Sequence, residues 1–327
     1  MSAPLVSVII PTHNRKNALR RTLGSLARQT LPPDRYEVVV VDDGSTDNTR
    51  LLTNELYLFP LEYLSREGGG ATLARNDGAL HSGGSVLVFV DDDITVSPET
   101  LEALYYECVG QPRAVVIGTL VTPEEIKASV FARLNADAPV GGDARRADSE
   151  LPFSDCKTGL LAIRRDDFFA LGQFQDPTGG WPNWDDVEFG YRAYQAGFHF
   201  WQSGRAVGEH RDYSLTDLAA SCLRWQRASK AAVRLFQKYP GIRPHISMFY
   251  DKTPIAWRRD PPGLILRKLV RRAAASRPVL DGMEWIGRAL EKHYPSPALL
   301  RPLYRWIIGG YIFWGFKLGL EDARRGT

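Results

Sequence analysis

Two aspartates, Asp42 and Asp43, follow directly on the four-valine run Val38–Val41, and three more, Asp91, Asp92 and Asp93, follow directly on Val86–Val90. Adjacent carboxylates repel one another unless a cation or hydrogen-bond donors meet them. Hard divalent cations such as Mg2+ and Mn2+ take oxygen ligands. The triple aspartate therefore has the make-up of a cation-holding turn, with a solvated acidic turn as the alternative. A third acidic pair, Asp185-Asp186, opens a helix-forming stretch. A carboxylate placed there can serve as a general base. Its twin would raise its pKa, while the helix N-terminus would favour the charged form. An apolar strand that ends on such charges is read as ending at a nucleotide site.

The elements that must carry these groups are legible as hydrophobic patterns. Leu5–Ile10, closed by Pro11, reads as a buried strand. Residues Asn17 to Thr30 place Leu19, Leu23 and Leu26 on one helical face, and Leu31-Pro32-Pro33-Asp34 is a turn. Tyr36–Val41 is a second strand, Leu61–Leu64 a short one and Val86–Val90 another. Asp47–Leu58, capped by Ser45 or Thr46, and Thr72–His81 are expected as helices. Further on, Ala114–Val121 and Leu160–Ile163 read as strands, Asp166–Leu171 and Asp185–Ala196 as helices, and Gly141–Ser149 as a mobile polar loop. Strands that alternate with helices and are apolar on both faces imply an α/β fold with a largely parallel central sheet. Ligands bind such sheets at the carboxyl ends of the strands, where Pro11–Asn14, Asp42-Asp43 and Asp91–Asp93 all fall.

Six segments in order, VSVIIPTHNR, VVVVDDGSTD, GGGATLARNDGAL, FVDDDITVSPE, LLAIRRDDFFALGQF and WDDVEFGYRAYQAGF, resemble family 2 inverting glycosyltransferases with the GT-A fold. The resemblance covers about Val6 to His210. It implies a nucleotide-sugar donor, UDP-linked by expectation, and a divalent metal, Mn2+ or Mg2+, that stabilises the departing diphosphate as a Lewis acid. It implies that Asp93 is the most direct metal ligand, that Asp91 helps hold the ribose or the metal, and that Asp92 belongs to the nucleotide site. His210 completes the metal site or is a surface histidine. Asp43 accepts the imide N–H of the base or caps a helix, Pro11 and Asn14 line the base pocket, and Arg75 flanks base and phosphates or lies on a surface helix. The glycines Gly68-Gly69-Gly70 permit close backbone approach without the GxGxxG spacing of a dinucleotide fold. Asp186 matches the family's catalytic base, with Asp185 in support where many members carry glutamate. Trp181 and Trp184 are expected as acceptor or sugar platforms, or as core packing.

Charge separates the chain into two parts. Residues 1–215 carry 20 Lys+Arg against 30 Asp+Glu, and residues 216–327 carry 21 against 8, within a net charge of +3. The expected division is a catalytic domain over 1–215 and a basic helical region over 216–327, suited to an anionic membrane surface, to a homodimer contact or to docking on the acidic part. Leu264–Arg272 alternates apolar and basic pairs as an interfacial helix does. Arg305–Leu320 is rich in the aromatics that sit at headgroups. Three cysteines without CxxC spacing point to a reducing compartment. No signal peptide and no run of about 18 apolar residues is read. The expected location is cytoplasmic, at the inner face of the membrane, with a glycan, lipid-linked or small-molecule acceptor. A nucleotidyltransferase, a catalytically inactive nucleotide- or sugar-binding subunit and a nucleic-acid-binding tail are the competing readings.

Overall fold

The computed structural model describes residues 3–136, 148–176, 184–213 and 216–325. Trp181 and most of the Gly141–Ser149 segment lie outside the described residues. The chain forms two compact units. Among the described residues the first holds 3–123, 148–176 and 185–211, and the second holds 124–136, 184, 212–213 and 216–325.

The first unit is an α/β unit whose sheet runs β3-β2-β1-β4-β8-β6-β9-β5. Strands β1 (Val6–Thr12), β2 (Tyr36–Asp42), β3 (Leu61–Ser65) and β4 (Val86–Val90) are mutually parallel. Every residue of β1 and β4 is buried, which is why both read as continuous apolar runs rather than alternating ones. The other half is mixed. Strand β8 (Leu160–Arg164) runs antiparallel to β4 and to β6 (Ala114–Val121), and β6 pairs in parallel with β9 (His199–His210). Two short strands, β5 (Ile94–Val96) and β7 (Ser149–Leu151), run antiparallel to β9. The parallel half thus matches the sequence expectation and the remainder is a mixed sheet, with the twelve-residue β9 unanticipated. Its alternation of buried and exposed positions is broken at Ser203, Gly204 and Arg205.

Helices α1 (Lys16–Leu26), α2 (Ala71–His81), α3 (Thr100–Gly110), α5 (Arg165–Ala170) and α6 (Asp185–Gln195) flank this sheet. Helix α1 buries Leu19, Leu23 and Leu26, the predicted stripe. Helix α2 lies so close to the sheet that a Cβ on Gly78 would fall 2.5 Å from Cγ2 of Ile9. The helix expected over Asp47–Leu58 shrinks to a 3-10 turn, Thr49–Asn54. The Asp47 carboxylate is drawn away to the Lys16 N–H (2.9 Å) and to Thr49. The Ser45 hydroxyl accepts the Asn14 N–H and the Thr46 hydroxyl donates to Asn14 Oδ1, so neither caps a helix.

The second unit is helical. Helices α4 (Val130–Ala136), α7 (Leu218–Lys238), α8 (Pro262–Ala274), α9 (Arg277–His293) and α10 (Pro297–Arg325) make it up. The aromatic stretch expected to sit among headgroups is the centre of α10. There Ile307, Ile312 and Phe316 are buried, and glycines let α7 approach its backbone. A Cβ at Gly315 would stand 2.1 Å from the Gln226 carbonyl, and one at Gly319 would stand 2.4 Å from that of Lys230. Among the described residues no helix is long and apolar enough to cross a membrane.

Candidate active site

The order β2-β1-β4 brings the carboxyl ends of three consecutive neighbours together, and the acidic residues read from the sequence gather there. The backbone turns that end these strands are tied to one another. Asn14, at φ 54°, turns the chain after β1 in the left-handed region that asparagine tolerates better than most residues. From there it accepts the Thr46 N–H at 2.7 Å and donates its own N–H to Ser45 Oγ at 2.8 Å. Pro11 is buried within β1, in register with Val41. His13 Nδ1 lies 3.0 Å from the Asp43 carbonyl.

Asp42 and Asp43 have different surroundings. Asp42 is buried and structural: its carboxylate accepts the Ser45 N–H at 2.9 Å and the Tyr63 hydroxyl. Asp43 meets the glycine run. Gly68, Gly69 and Gly70 all have positive φ, a conformation open at little cost only to glycine. This run aims the Gly70 N–H at Asp43 Oδ2 (2.8 Å), while Arg66 reaches Oδ1 at 3.2 Å. A carboxylate offers about four acceptor sites, so Asp43 retains capacity for a base N–H. It caps no regular helix.

The triple aspartate divides into three roles. Asp92 points inward: Thr12 Oγ1 donates to it at 2.7 Å, Arg15 at 3.2 Å, and its backbone carbonyl accepts from Thr22. It is 5% exposed, and burial pushes its carboxyl up to about 6. It therefore ties α1 to the end of β4 and is not an open nucleotide contact. Asp91 receives Arg75 Nη2 at 2.7 Å. Asp93 receives Arg15 Nη1 on Oδ2 at 2.7 Å and faces His210 Nε2 from Oδ1 at 3.3 Å. Burial pulls the Asp93 carboxyl upward, but His210 and Arg15 outweigh it and hold it below the usual carboxylate range.

Asp93 and His210 fit a divalent cation. Oδ1 of Asp93 is buried and accepts no hydrogen bond from the described residues. Its 3.3 Å separation from Nε2 is what two ligands of one ion at ~2.1 Å adopt. Asp91 is engaged by Arg75, and no cluster of three or more ligating side chains exists among the described residues. Mg2+ and Mn2+ sites of this kind draw their remaining ligands from water and substrate phosphates.

Arg75 lies within the framework of this site. It is buried and bridges Asp91 to Asp185, whose Oδ2 it reaches at 3.2 Å beside Thr72 Oγ1 at 2.9 Å. Burial works against its charge, and Asp91 and Asp185 outweigh that. Asp185 is thereby committed to holding α6 against α2. Asp186, the next residue, is partly exposed. It accepts the Val187 N–H at 2.7 Å, and burial, then the Asp185 charge, raise its carboxyl to about 7. Glu188, fully buried, anchors the same helix through Arg192 (2.7 and 2.8 Å), which also donates to the carbonyls of Leu171 and Gln173. Trp184 is a core side chain of the second unit. Its indole N–H donates to the Ala228 carbonyl at 2.7 Å and its ring packs on Phe249, so it offers no open face to a sugar. Sequence reasoning missed Arg15, Arg66 and Arg192. Arg66 adjoins the glycine run and Arg192 follows Glu188 by one helical turn, so both had a local signal, whereas Arg15 meets Asp92 and Asp93 only after folding.

The family model described as "Glycosyl transferase family 2" matches residues 7–176. A validoxylamine A glucosyltransferase of Streptomyces hygroscopicus subsp. limoneus is 30% identical over 278 residues, covering 74% of this chain and 58% of that protein. The chain spans about three fifths of the length of this relative and of a second validoxylamine A glucosyltransferase that it matches. The fold is shared with the mannosyltransferase PcManGT from Pyrobaculum calidifontis, solved with GDP-Man and Mn2+, at TM-score 0.60 and 21% identity, with 98% of this chain and 88% of that one covered. It is also shared with GalNAc-T7, solved with UDP, GalNAc and Mn2+, at TM-score 0.54 and 18% identity, with 90% and 58% covered.

Proposed function

The chain belongs to glycosyl transferase family 2, and on that premise we propose that it transfers a sugar from a nucleoside-diphosphate donor, UDP-linked, to a hydroxyl acceptor with inversion at the anomeric carbon. The observation that carries this reading is the division of labour within the acidic pair. Asp185 is engaged by Arg75 and Thr72, while burial, and then the Asp185 charge, raise Asp186 at the start of α6 to about 7. A general base is most effective with a pKa near the working pH. In this reading the acceptor hydroxyl gives its proton to Asp186 as its oxygen bonds to the anomeric carbon, and the bond from that carbon to the diphosphate breaks. Asp43 receives the base edge. Asp93 and His210 would hold a divalent cation, and Arg75 fixes Asp91 and Asp185 on either side.

A bound Mn2+ or Mg2+ would offset the negative charge that builds on the leaving diphosphate. Support for this cation is the buried, unbonded Oδ1 of Asp93 facing His210. The test is a screen of nucleotide sugars, with and without chelator, for release of free nucleoside diphosphate. UDP release that requires the metal and an acceptor supports the reading. Release from GDP-sugars alone would replace the donor, and no release from any donor would remove the activity.

A further inference from the structure

Helix α8 is turned inside out for a helix on a protein surface. Its buried positions include Lys268 and Arg271, and its exposed positions include Leu266 (62% exposed), Leu269 (43%) and Val270 (47%). The inward cations are fully engaged. Lys268 Nζ reaches Asp260 at 2.6 Å and the Pro254 carbonyl at 3.0 Å. Arg271 reaches Asp251 at 3.2 Å and lies over the Trp306 ring at 4.0 Å. Because truncating one partner of such a pair strands a buried charge, these contacts hold the helix in this rotation and keep its leucines in water.

We propose that this face of α8 docks on the surface of an anionic lipid bilayer. Leu266, Leu269 and Val270 stand at spacings of three and four residues, which put them on one helical face. Exposed Arg267 and Arg272 flank that face on its two sides. An apolar stripe between two basic borders is the form of a helix lying in the headgroup layer. Charge complementarity selects the partner. Through residues 254–306 exposed cations recur, among them Arg258, Arg259, Arg288 and Arg305, while Asp281 is the one exposed carboxylate of the described residues there. Trp257 precedes the helix 69% exposed, and Trp285 on α9 is 67% exposed; tryptophans favour the membrane–water interface. Arg272 also lines a cavity of about 590 Å3 with Trp257, Trp314, Lys317 and Arg324, surroundings suited to a phosphate headgroup. This assignment concerns the second unit alone and does not depend on the transfer reaction.

The experiment is cosedimentation of the full chain with vesicles of phosphatidylcholine alone and of phosphatidylcholine with phosphatidylglycerol, across a salt series. Binding is expected to the anionic vesicles and to weaken with salt. The pair Leu266→Asp/Leu269→Asp should lower partitioning roughly 10-fold or more, since the apolar contact is lost. The pair Arg267→Gln/Arg272→Gln should lower it by a similar factor on anionic vesicles only. In the unsubstituted chain, amide exchange over 262–274 should slow on adding anionic vesicles. No binding at low salt, or binding indifferent to both pairs, would overturn the assignment. Self-association without lipid that the leucine pair abolishes would give this face to a second copy of the chain instead.

Discussion

Asp186 and Asp93 carry opposite perturbations, and each leads to a test. The Asp186 carboxyl is raised to about 7 by burial and by Asp185. As a base it works only when ionised, so kcat/KM should rise with pH and level off above about 7. An activity flat between pH 5 and 8 would contradict the role. Asp186→Asn keeps shape but cannot take the proton, and kcat should fall by roughly 10²–10⁴ with donor binding retained. Asp185→Asn should cost less in kcat, because Asp185 is occupied by Arg75 and Thr72. A larger loss in Asp185→Asn would reverse the assignment. Asp93→Ala removes the proposed ligand, a carboxylate that His210 and Arg15 hold below the usual range. Metal-dependent turnover should fall by on the order of 10², given the several kcal/mol a cation supplies to a developing charge. Calorimetry with Mn2+ and UDP checks whether the loss tracks metal affinity.

At the scale of elements, α6 is held by a device unrelated to chemistry. Glu188 is fully buried and its charge is answered by Arg192, which in turn secures the chain after α5. Glu188→Ala leaves a guanidinium without its partner, and about 3–5 kcal/mol of stability should be lost, measured by urea unfolding. A change below 1 kcal/mol would mean that Arg192 finds another partner by local rearrangement. In the second unit, α7 and α10 approach until only glycine fits at Gly315. Gly315→Ala should therefore destabilise by roughly 1–3 kcal/mol through overpacking, although alanine is the better helix former. A stabilised variant would show that the two helices can part at no cost.

For the molecule as a whole, ligand linkage offers a test that needs no acceptor. A ligand that binds only the folded state at 100 times its Kd stabilises by about 2.7 kcal/mol. UDP with Mn2+ should therefore raise the melting temperature, and Asp43→Ala should reduce that rise, because Asp43, held by Gly70 and Arg66, is the proposed base contact. GDP producing the rise where UDP does not would exclude the uracil reading. The charge balance bears on a separate property. The acidic first part and the basic second part leave a net charge of only +3, so the proposed salt-dependent binding to anionic vesicles would follow from the distribution of charge and not from its sum.

The parallel half of the sheet was readable because β1, β2 and β4 are buried on both faces, and burial on both faces writes itself as unbroken apolar runs. The carboxylates at their ends were readable because adjacent charges after such runs need partners. Helix α6 was readable from periodicity and an acidic first turn. Which aspartate does what was not readable. Asp42 and Asp43 are neighbours in sequence, and only the positions of Tyr63, Arg66 and Gly70 make one structural and the other open to a base. The same holds for Asp92, turned inward by Thr12, and for Arg75, buried between two carboxylates instead of lying on a surface. Basic and apolar residues alternate along α8 in the sequence, but the ion pairs to Asp251 and Asp260 decide which of them face water. Local pattern determines which residues form an element. The partners that choose among equivalent polar groups come from distant parts of the chain, so only tertiary structure could assign them.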